Sequence, residues 1–227
     1  MTSRPLALVT GASRGIGAAV ARALAPTHEL LLGGRDTVAL KTVAADLPEA
    51  RPWAVDVTDE AALAAAVDAL GIDRLDVLVH SAGVAQLGTV EETAPDSWRH
   101  QFEVNVVAVA NLTRLLLPAL RAAGGTVVLI NSGAGLRAHA GWGSYAASKF
   151  ALRAVAEALR AEEPALRVVS VHSGRVDTDM QRAVVAHEGG EYDASRFLRP
   201  ESVAAVVLTA VTATPEAHLT EVTIRPR

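Results

Sequence analysis

Leu6-Ala7-Leu8-Val9-Thr10-Gly11-Ala12-Ser13-Arg14-Gly15-Ile16-Gly17 sets a short apolar run against a turn with glycines at 11, 15 and 17, then opens into an alanine-rich helical signal, Ala18–Ala25. A run of five residues ending at Thr10 has the length of a buried strand. The first glycine permits a sharp turn, the second a close backbone approach to a pyrophosphate, and the third close packing of helix on sheet. An anion would sit at the helix N-terminus, where unpaired N–H groups and the helix dipole attract it. A ligand-free turn could use the same glycines, but the strand–turn–helix order favours the phosphate. No Gly-Lys-Ser/Thr follows, which excludes an ATP-type phosphate loop.

Outward from this stretch, short apolar runs alternate with longer segments whose apolar residues recur every three to four positions. The strand candidates are Leu6–Thr10, Glu29–Gly33, Arg51–Val55, Leu75–His80, Thr126–Asn131, Arg167–Ser173 and Glu221–Ile224. Helical patterns cover Ile16–Ala25, Thr37–Leu47, Glu60–Leu70, Pro95–Ala122, Tyr145–Glu163 and Pro200–Thr212, with Asp36 and Asp59 at cap positions. This rhythm predicts an α/β fold: one doubly wound, Rossmann-like domain over 1–227, with a seven-stranded parallel sheet and helices on both faces. The segment Asp177–Arg199 lacks periodicity and reads either as a mobile flap over a ligand site or as a surface loop with a short helix.

The 227 residues are 50% hydrophobic and 20% charged, enough apolar material for one large core. A net charge of −4 gives no basic face for nucleic acid and no polybasic membrane anchor, leaving a small molecule or a second copy as partner. With no cysteine, a disulfide framework, a thiolate metal site and a cysteine nucleophile are excluded. The seven histidines are scattered, so no metal is expected. The N-terminal apolar run is too short for a signal peptide, and no stretch approaches the ~20 apolar residues of a spanning helix, so a cytoplasmic protein is expected.

Cofactor choice is read at the end of the second strand, where NAD-binding folds of this kind place an acidic residue against the ribose hydroxyls. Gly34 stands there, followed by Arg35. With Arg14 and Arg35 available to hold a 2′-phosphate, NADP(H) is favoured over NAD(H). Asp36 either caps the next helix or is that acidic residue displaced by two places.

Tyr145 and Lys149 lie four apart and share one face of a helix. The chain has 19 arginines and only two lysines, so an ammonium here departs from local habit. A cation beside a phenol lowers its pKa and readies it for proton transfer near neutral pH. Ser132 follows the fifth strand, at the carboxyl end where open α/β sheets place ligands, and could polarise a carbonyl without covalent chemistry. Asn131-Ser132-Gly133-Ala134-Gly135 lacks the first glycine of a nucleophile elbow. Asn105, inside an apolar helix, reads by spacing alone as a satisfied core asparagine.

Taken together these elements resemble the short-chain dehydrogenase/reductase family across nearly the whole chain. Thr10–Gly17 is similar to its phosphate-binding turn, Asp56-Val57 to its adenine contact, Ser81-Ala82-Gly83 to its central Asn-Ala-Gly element, and Gly174-Arg175-Val176-Asp177-Thr178 to its nicotinamide-side loop. Asn105, Ser132, Tyr145 and Lys149 match its catalytic tetrad. The resemblance implies a strand order of 3-2-1-4-5-6-7 and hydride transfer between NADP(H) and a carbonyl or secondary alcohol. It makes Tyr145 the acid/base, Lys149 a ribose ligand that lowers the phenol's pKa, Ser132 the group that orients substrate, and Asn105 the holder of a water linking Lys149 to solvent. It implies cofactor contacts from Gly11, Ser13, Arg14, Gly15, Ile16, Gly17, Arg35, Asp56, Val57, Ser81, Ala82, Gly83, Tyr145, Lys149, Gly174, Val176 and Thr178.

A homodimer or homotetramer through Pro95–Ala122 and Tyr145–Glu163 is implied as well. His80 stands where the family more often has asparagine, and Ser173 where it usually has proline. Arg137, His139, Trp142 and His187 are candidate substrate contacts, and His80 is either another or a structural residue at a strand end. Two other readings of the same fold remain: a non-redox epimerase or dehydratase, and a silent dinucleotide-sensing scaffold.

Overall fold

The computed structural model describes residues 4–227; residues 1–3 of the expected domain lie outside the described residues. In chain order the elements are β1 (Leu6–Thr10), α1 (Gly15–Leu24), β2 (Glu29–Gly34), α2 (Thr37–Ala45), β3 (Ala50–Ala54), α3 (Glu60–Asp68), β4 (Val77–His80), α4 (Pro95–Phe102), α5 (Ala108–Ala123), β5 (Thr126–Ser132), α6 (Gly143–Glu162), β6 (Arg167–Ser173), α7 (Asp179–His187), α8 (Pro200–Val211) and β7 (Glu221–Ile224). The seven strands form one parallel sheet, ordered β3-β2-β1-β4-β5-β6-β7.

Alternation along β1 shows how the sheet divides its core. Ala7 and Val9 join one cluster with Val20 and Leu24 of α1 and Val203 and Val207 of α8. Leu8 joins the opposite cluster with Leu112 and Leu116 of α5 and Leu152 and Leu159 of α6. The central strands are buried on both faces, as a parallel sheet covered by helices requires, whereas the edge strands β3 and β7 are mostly exposed or half-buried. Each fully buried leucine contributes about 1.5–3 kcal/mol.

Asp36 accepts a hydrogen bond from Ala39 N at 3.0 Å and Asp59 one from Ala62 N at 2.9 Å, so both cap their helices. Asp36 is thereby committed to α2. Gly124 ends α5 with a left-handed φ of +60°.

Two expectations change and one is met. The helix expected as one piece over Pro95–Ala122 is interrupted by a π turn at Glu103–Val107, which apolar periodicity cannot register. The Asp177–Arg199 segment carries the short helix that one of its two readings expects, α7, and a 3₁₀ turn at Ala194–Arg196; its base is pinned by Asp177 N to Leu198 O (2.8 Å) and Leu198 N to Arg175 O (3.0 Å). Lastly, the continuous helical run Pro95–Ala123 is, by length and composition, apolar enough to cross a membrane. Here Leu112, Leu116 and Leu120 point into the core instead.

β1 is flanked by β2 on one side and β4 on the other, so consecutive connections leave it in opposite directions. The carboxyl ends of β1 and β4 therefore border the crevice of the topological switch point. Thr10-Gly11 and His80-Ser81 lie there.

Candidate active site

The glycines of the β1–α1 turn are each sterically required. Gly11 has φ +65° and a Cβ on it would lie 2.8 Å from Ala82 N, so the turn is pressed against the end of β4. A Cβ on Gly17 would lie 2.2 Å from Gly11 O, which only a bare α-carbon permits. Thr10 Oγ1 accepts from Ser81 N (3.1 Å) and Ala82 N (3.2 Å), fixing Ser81–Gly83 beside the turn. Ser13 and Ile16 are half-buried in the turn, and α1 begins with no side-chain cap and no acidic residue in its first turn. Those N–H groups form a cradle that suits a pyrophosphate.

Two exposed guanidiniums flank the cradle. Arg14 lies 3.5 Å from Asp179 and Arg35 3.8 Å from Asp56. Asp56 accepts from Thr58 N (3.0 Å) and Thr58 Oγ1 (2.7 Å), and these bonds hold its carboxyl below the ordinary carboxylate range. Val57 is half-buried next to it. Thr178 approaches the turn from the other side, its Cγ2 lying 3.3 Å from where a Cβ on Gly15 would stand. Val176 is buried and bridges to Leu198, while Gly174 packs against Pro226.

The reacting end is built by β5, α6 and the π turn. Tyr145 and Lys149 are buried on one face of α6, with Lys149 Nζ 5.9 Å from the Tyr145 ring centroid. Nζ donates to Ile130 O at 3.1 Å, and burial lowers the ammonium pKa to about 8. Burial also pushes the Tyr145 phenol above its ordinary value, with a hydrogen bond to the Ser132 side chain pulling the other way. Spacing alone predicts a fall; desolvation decides the opposite direction in the protein by itself.

Asn105, in the π turn, accepts from Val84 N and donates to Val84 O, both at 2.9 Å, and donates to Ser148 Oγ at 3.0 Å. Ser148 Oγ donates in turn to Tyr145 O at 2.7 Å. Asn105 is therefore a clamp between the loop after β4 and α6, as residue-level reading expects, and its carbonyl oxygen also edges Gly83, whose missing Cβ would stand 3.1 Å from it and 3.8 Å from Lys149 Nζ. A second buried amide was missed: Gln101 accepts from Gln86 N (3.0 Å) and donates to Gln86 O (3.2 Å) and Ser144 Oγ (2.6 Å). Its signal in the sequence is a polar residue on the buried stripe of an otherwise exposed helix.

A cavity of about 630 Å³ opens beside this centre, between the loop after β4 and α7; its lining includes Gln86, Glu92, Ser97, Val184 and His187. Ala85 and Leu87 line it and also pack with Tyr145 and Trp142. Of the candidate substrate contacts His187 is at this cavity, Trp142 meets Tyr145 edge-on at 5.9 Å, and Arg137 and His139 are exposed on the loop before α6. His80 Nε2 donates to Thr113 Oγ1 at 2.8 Å, which itself donates to Val109 O; burial lowers its pKa to about 3, so it is a neutral structural residue. Among the described residues no group of three or more metal-ligating side chains comes together.

The family model for short chain dehydrogenases matches residues 5–189. Dehydrogenase/reductase SDR family member 11 of Mus musculus is 30% identical, covering 97% of this chain and 94% of the mouse protein. Glycine betaine reductase ATRR of Emericella nidulans is 36% identical over 99% of this chain, which spans only 19% of that larger protein. The solved alcohol dehydrogenase of Thermococcus sibiricus, in complex with 5-hydroxy-NADP, superposes with a TM-score of 0.90 at 26% identity, covering 98% of this chain and 96% of that one. A seven-stranded sheet in this order, a glycine cradle at its switch point and these relatives give one conclusion: the chain belongs to the short-chain dehydrogenase/reductase family and is an oxidoreductase.

Proposed function

We propose that the protein transfers a hydride between NADP(H) and a carbonyl or secondary alcohol, with Tyr145 as acid/base. The observation that carries this reading is the convergence of Tyr145, Lys149 and Ser132 at the carboxyl end of the sheet, between the glycine cradle and the 630 Å³ cavity. The bound nicotinamide would supply or accept the hydride. In the reducing direction Tyr145 Oη gives its proton to the carbonyl oxygen, Ser132 Oγ orients that oxygen, and the Lys149 ammonium lies close enough to stabilise the phenolate left behind. Asn105 holds the loop and helix in register, and a water between it and Lys149 is the role the family implies.

NADP(H) is the favoured cofactor because Gly34 puts no carboxylate at the ribose position, Asp36 is occupied as a helix cap, and Arg14 and Arg35 are both at hand for a 2′-phosphate. The solved relative's complex with 5-hydroxy-NADP supports this. Ser13, Gly15 and Ile16 would face the pyrophosphate, Asp56-Val57 the adenine, and Ser81–Gly83, Gly174, Val176 and Thr178 the nicotinamide half. A single domain accommodates all of this, since strands from Leu6 to Ile224 share one sheet. Exposed Val107 and Phe150, on the helices expected to pair, support a homodimer or homotetramer, which light scattering would measure. A cytoplasmic location accords with the burial of the apolar face of the Pro95–Ala123 run.

The test is a panel of aldehydes, ketones and secondary alcohols followed by NADPH oxidation or NADP reduction, with Tyr145→Phe as control. Turnover with one or more compounds and its loss by about 10³-fold or more in Tyr145→Phe is expected. An unchanged turnover number in the variant would remove Tyr145 from the reaction, and a silent panel would favour non-redox chemistry or a scaffold.

A further inference from the structure

His172 lies fully buried on β6 and plays no part in the reaction just described. Its Nδ1 is 3.2 Å from the backbone carbonyl oxygen of Ser132. Its Nε2 makes no hydrogen bond and faces Glu221 Oε1 of β7 at 3.8 Å. Glu221 is in turn held by Arg153 Nε at 2.9 Å, and Arg153 also meets Glu157 at 3.0 Å. Both groups facing the imidazole, a carbonyl and a carboxylate, are pure acceptors, so the ring can serve them only by donating.

The backbone N–H of Ser132 is held as well. Ser132 N donates to Asn131 Oδ1 at 2.8 Å, and Asn131 Nδ2 donates to the Lys149 carbonyl at 3.2 Å. Arg153 follows Lys149 by four residues on α6, as Lys149 follows Tyr145. The contacts therefore close a circuit from Ser132 through His172, Glu221 and Arg153 to α6, and back through Lys149 and Asn131. We propose that His172 is a positioning residue for Ser132, holding its carbonyl through Nδ1–H and tying the serine to the helix that carries Tyr145 and Lys149. This rests on the reading of Ser132 given above.

The experiment compares His172→Phe, His172→Asn and Ser132→Ala in the full chain, using a carbonyl compound that the panel shows to be turned over. It reads kcat, KM and the Kd of NADPH by fluorescence titration, together with a nitrogen-15 correlation spectrum of the His172 ring in the wild-type protein. Phenylalanine removes the donor, whereas asparagine can place an amide N–H near the position of Nδ1. The expected result is a kcat loss of about tenfold or more in His172→Phe with an unchanged NADPH Kd, most of it recovered in His172→Asn, and a proton on Nδ1. A folded His172→Phe enzyme with wild-type kcat, or a His172→Asn enzyme as slow as His172→Phe, overturns the proposal. If His172→Phe does not fold, the spectrum decides: a proton on Nδ1 supports the proposal and a bare Nδ1 overturns it. Ser132→Ala with full turnover overturns the reading of Ser132 and this proposal together; a slow Ser132→Ala beside a normal His172→Phe overturns this proposal alone.

Discussion

Gln101 and Asn105, four residues apart on one helical run, grip Gln86 and Val84, two residues apart in the loop after β4, through the same pair of backbone hydrogen bonds. The rise of one helical turn, about 5.4 Å, comes close to the spacing of alternate residues in an extended chain. Two amide side chains thus do for this loop what a neighbouring strand would do, and each passes its remaining N–H to a serine of α6, Ser144 or Ser148. The loop they fix forms one wall of the cavity.

Replacing Gln101 by Leu therefore leaves the Gln86 N–H unpaired and its C=O with only the long 3.4 Å bond from Ser144 Oγ. The expected cost is about 2–4 kcal/mol in urea unfolding, with KM for the carbonyl substrate rising more than kcat falls, because Gln101 touches the wall and not the reacting atoms. A KM unchanged by the substitution would show that the wall does not depend on this rung.

Lys149 carries a cost in stability. Its pKa falls from 10.5 to about 8 because burial disfavours the charged form, so the folded protein binds its proton less tightly than the unfolded chain. The penalty is fully present below pH 8, and stability from this group rises between about pH 8 and 10.5. Lys149→Met should abolish turnover and yet raise stability at pH 7 by on the order of 1 kcal/mol, after offsetting the lost bond to Ile130 O. Urea unfolding at pH 7 and at pH 10 checks it: the advantage shrinks at the higher pH.

Much of this was legible before any coordinates. β1, β6 and β7 run over the bounds expected for them: β1 because a strand buried on both faces is an apolar run closed by a glycine turn, β6 and β7 because their β-branched residues stop at Gly174 and at Arg225-Pro226. The glycines at 11, 15 and 17 were legible because steric need at a tight strand–helix turn leaves no other residue. A short helix in Asp177–Arg199 is one of two readings, but the bounds of α7 were hidden: its buried face is only Gln181, Val184 and Val185, too thin a stripe to stand out among charged neighbours. The direction of the Tyr145 shift was hidden for another reason, since a spacing of four gives proximity of charge but not depth of burial. Asn131 and His172 escaped notice because a polar residue on a strand announces itself only when its partners, distant in sequence, are known.

Glycine substitutions separate contact from conformation. Gly17→Ala forces its Cβ toward Gly11 O, so the cradle must distort; a rise of about tenfold or more in the Kd of NADPH is expected from fluorescence titration. Gly71 has φ +57° and open space around it, so Gly71→Ala should cost only about 1 kcal/mol of stability and leave cofactor affinity unchanged. Equal effects on affinity would mean that the clash is absorbed elsewhere.

On the proposed cofactor reading, the arginine pair sets the choice. Arg14→Ala with Arg35→Ala should weaken NADPH by 10²-fold or more while changing NADH by less than about threefold, since two charge-assisted contacts to a phosphate are worth about 3 kcal/mol together. Titration of both nucleotides by calorimetry checks it, and a parallel loss for NADH would move the arginines away from the 2′-phosphate.

The wide turn at Glu103–Val107 has a consequence for how this chain can vary. Such a turn takes up one more residue than regular winding, so removing a single residue there would leave an unbroken helix that still runs from Pro95 toward Gly124. Each residue of a regular helix advances about 100°, and the widened turn advances less per residue, so after the excision the two flanks would face nearly as they do now. A copy shortened in this way would keep Gln101 and the leucines of α5 in place and lose only what the bulge presents, Asn105, so loss of one codon here should strike turnover far harder than folding.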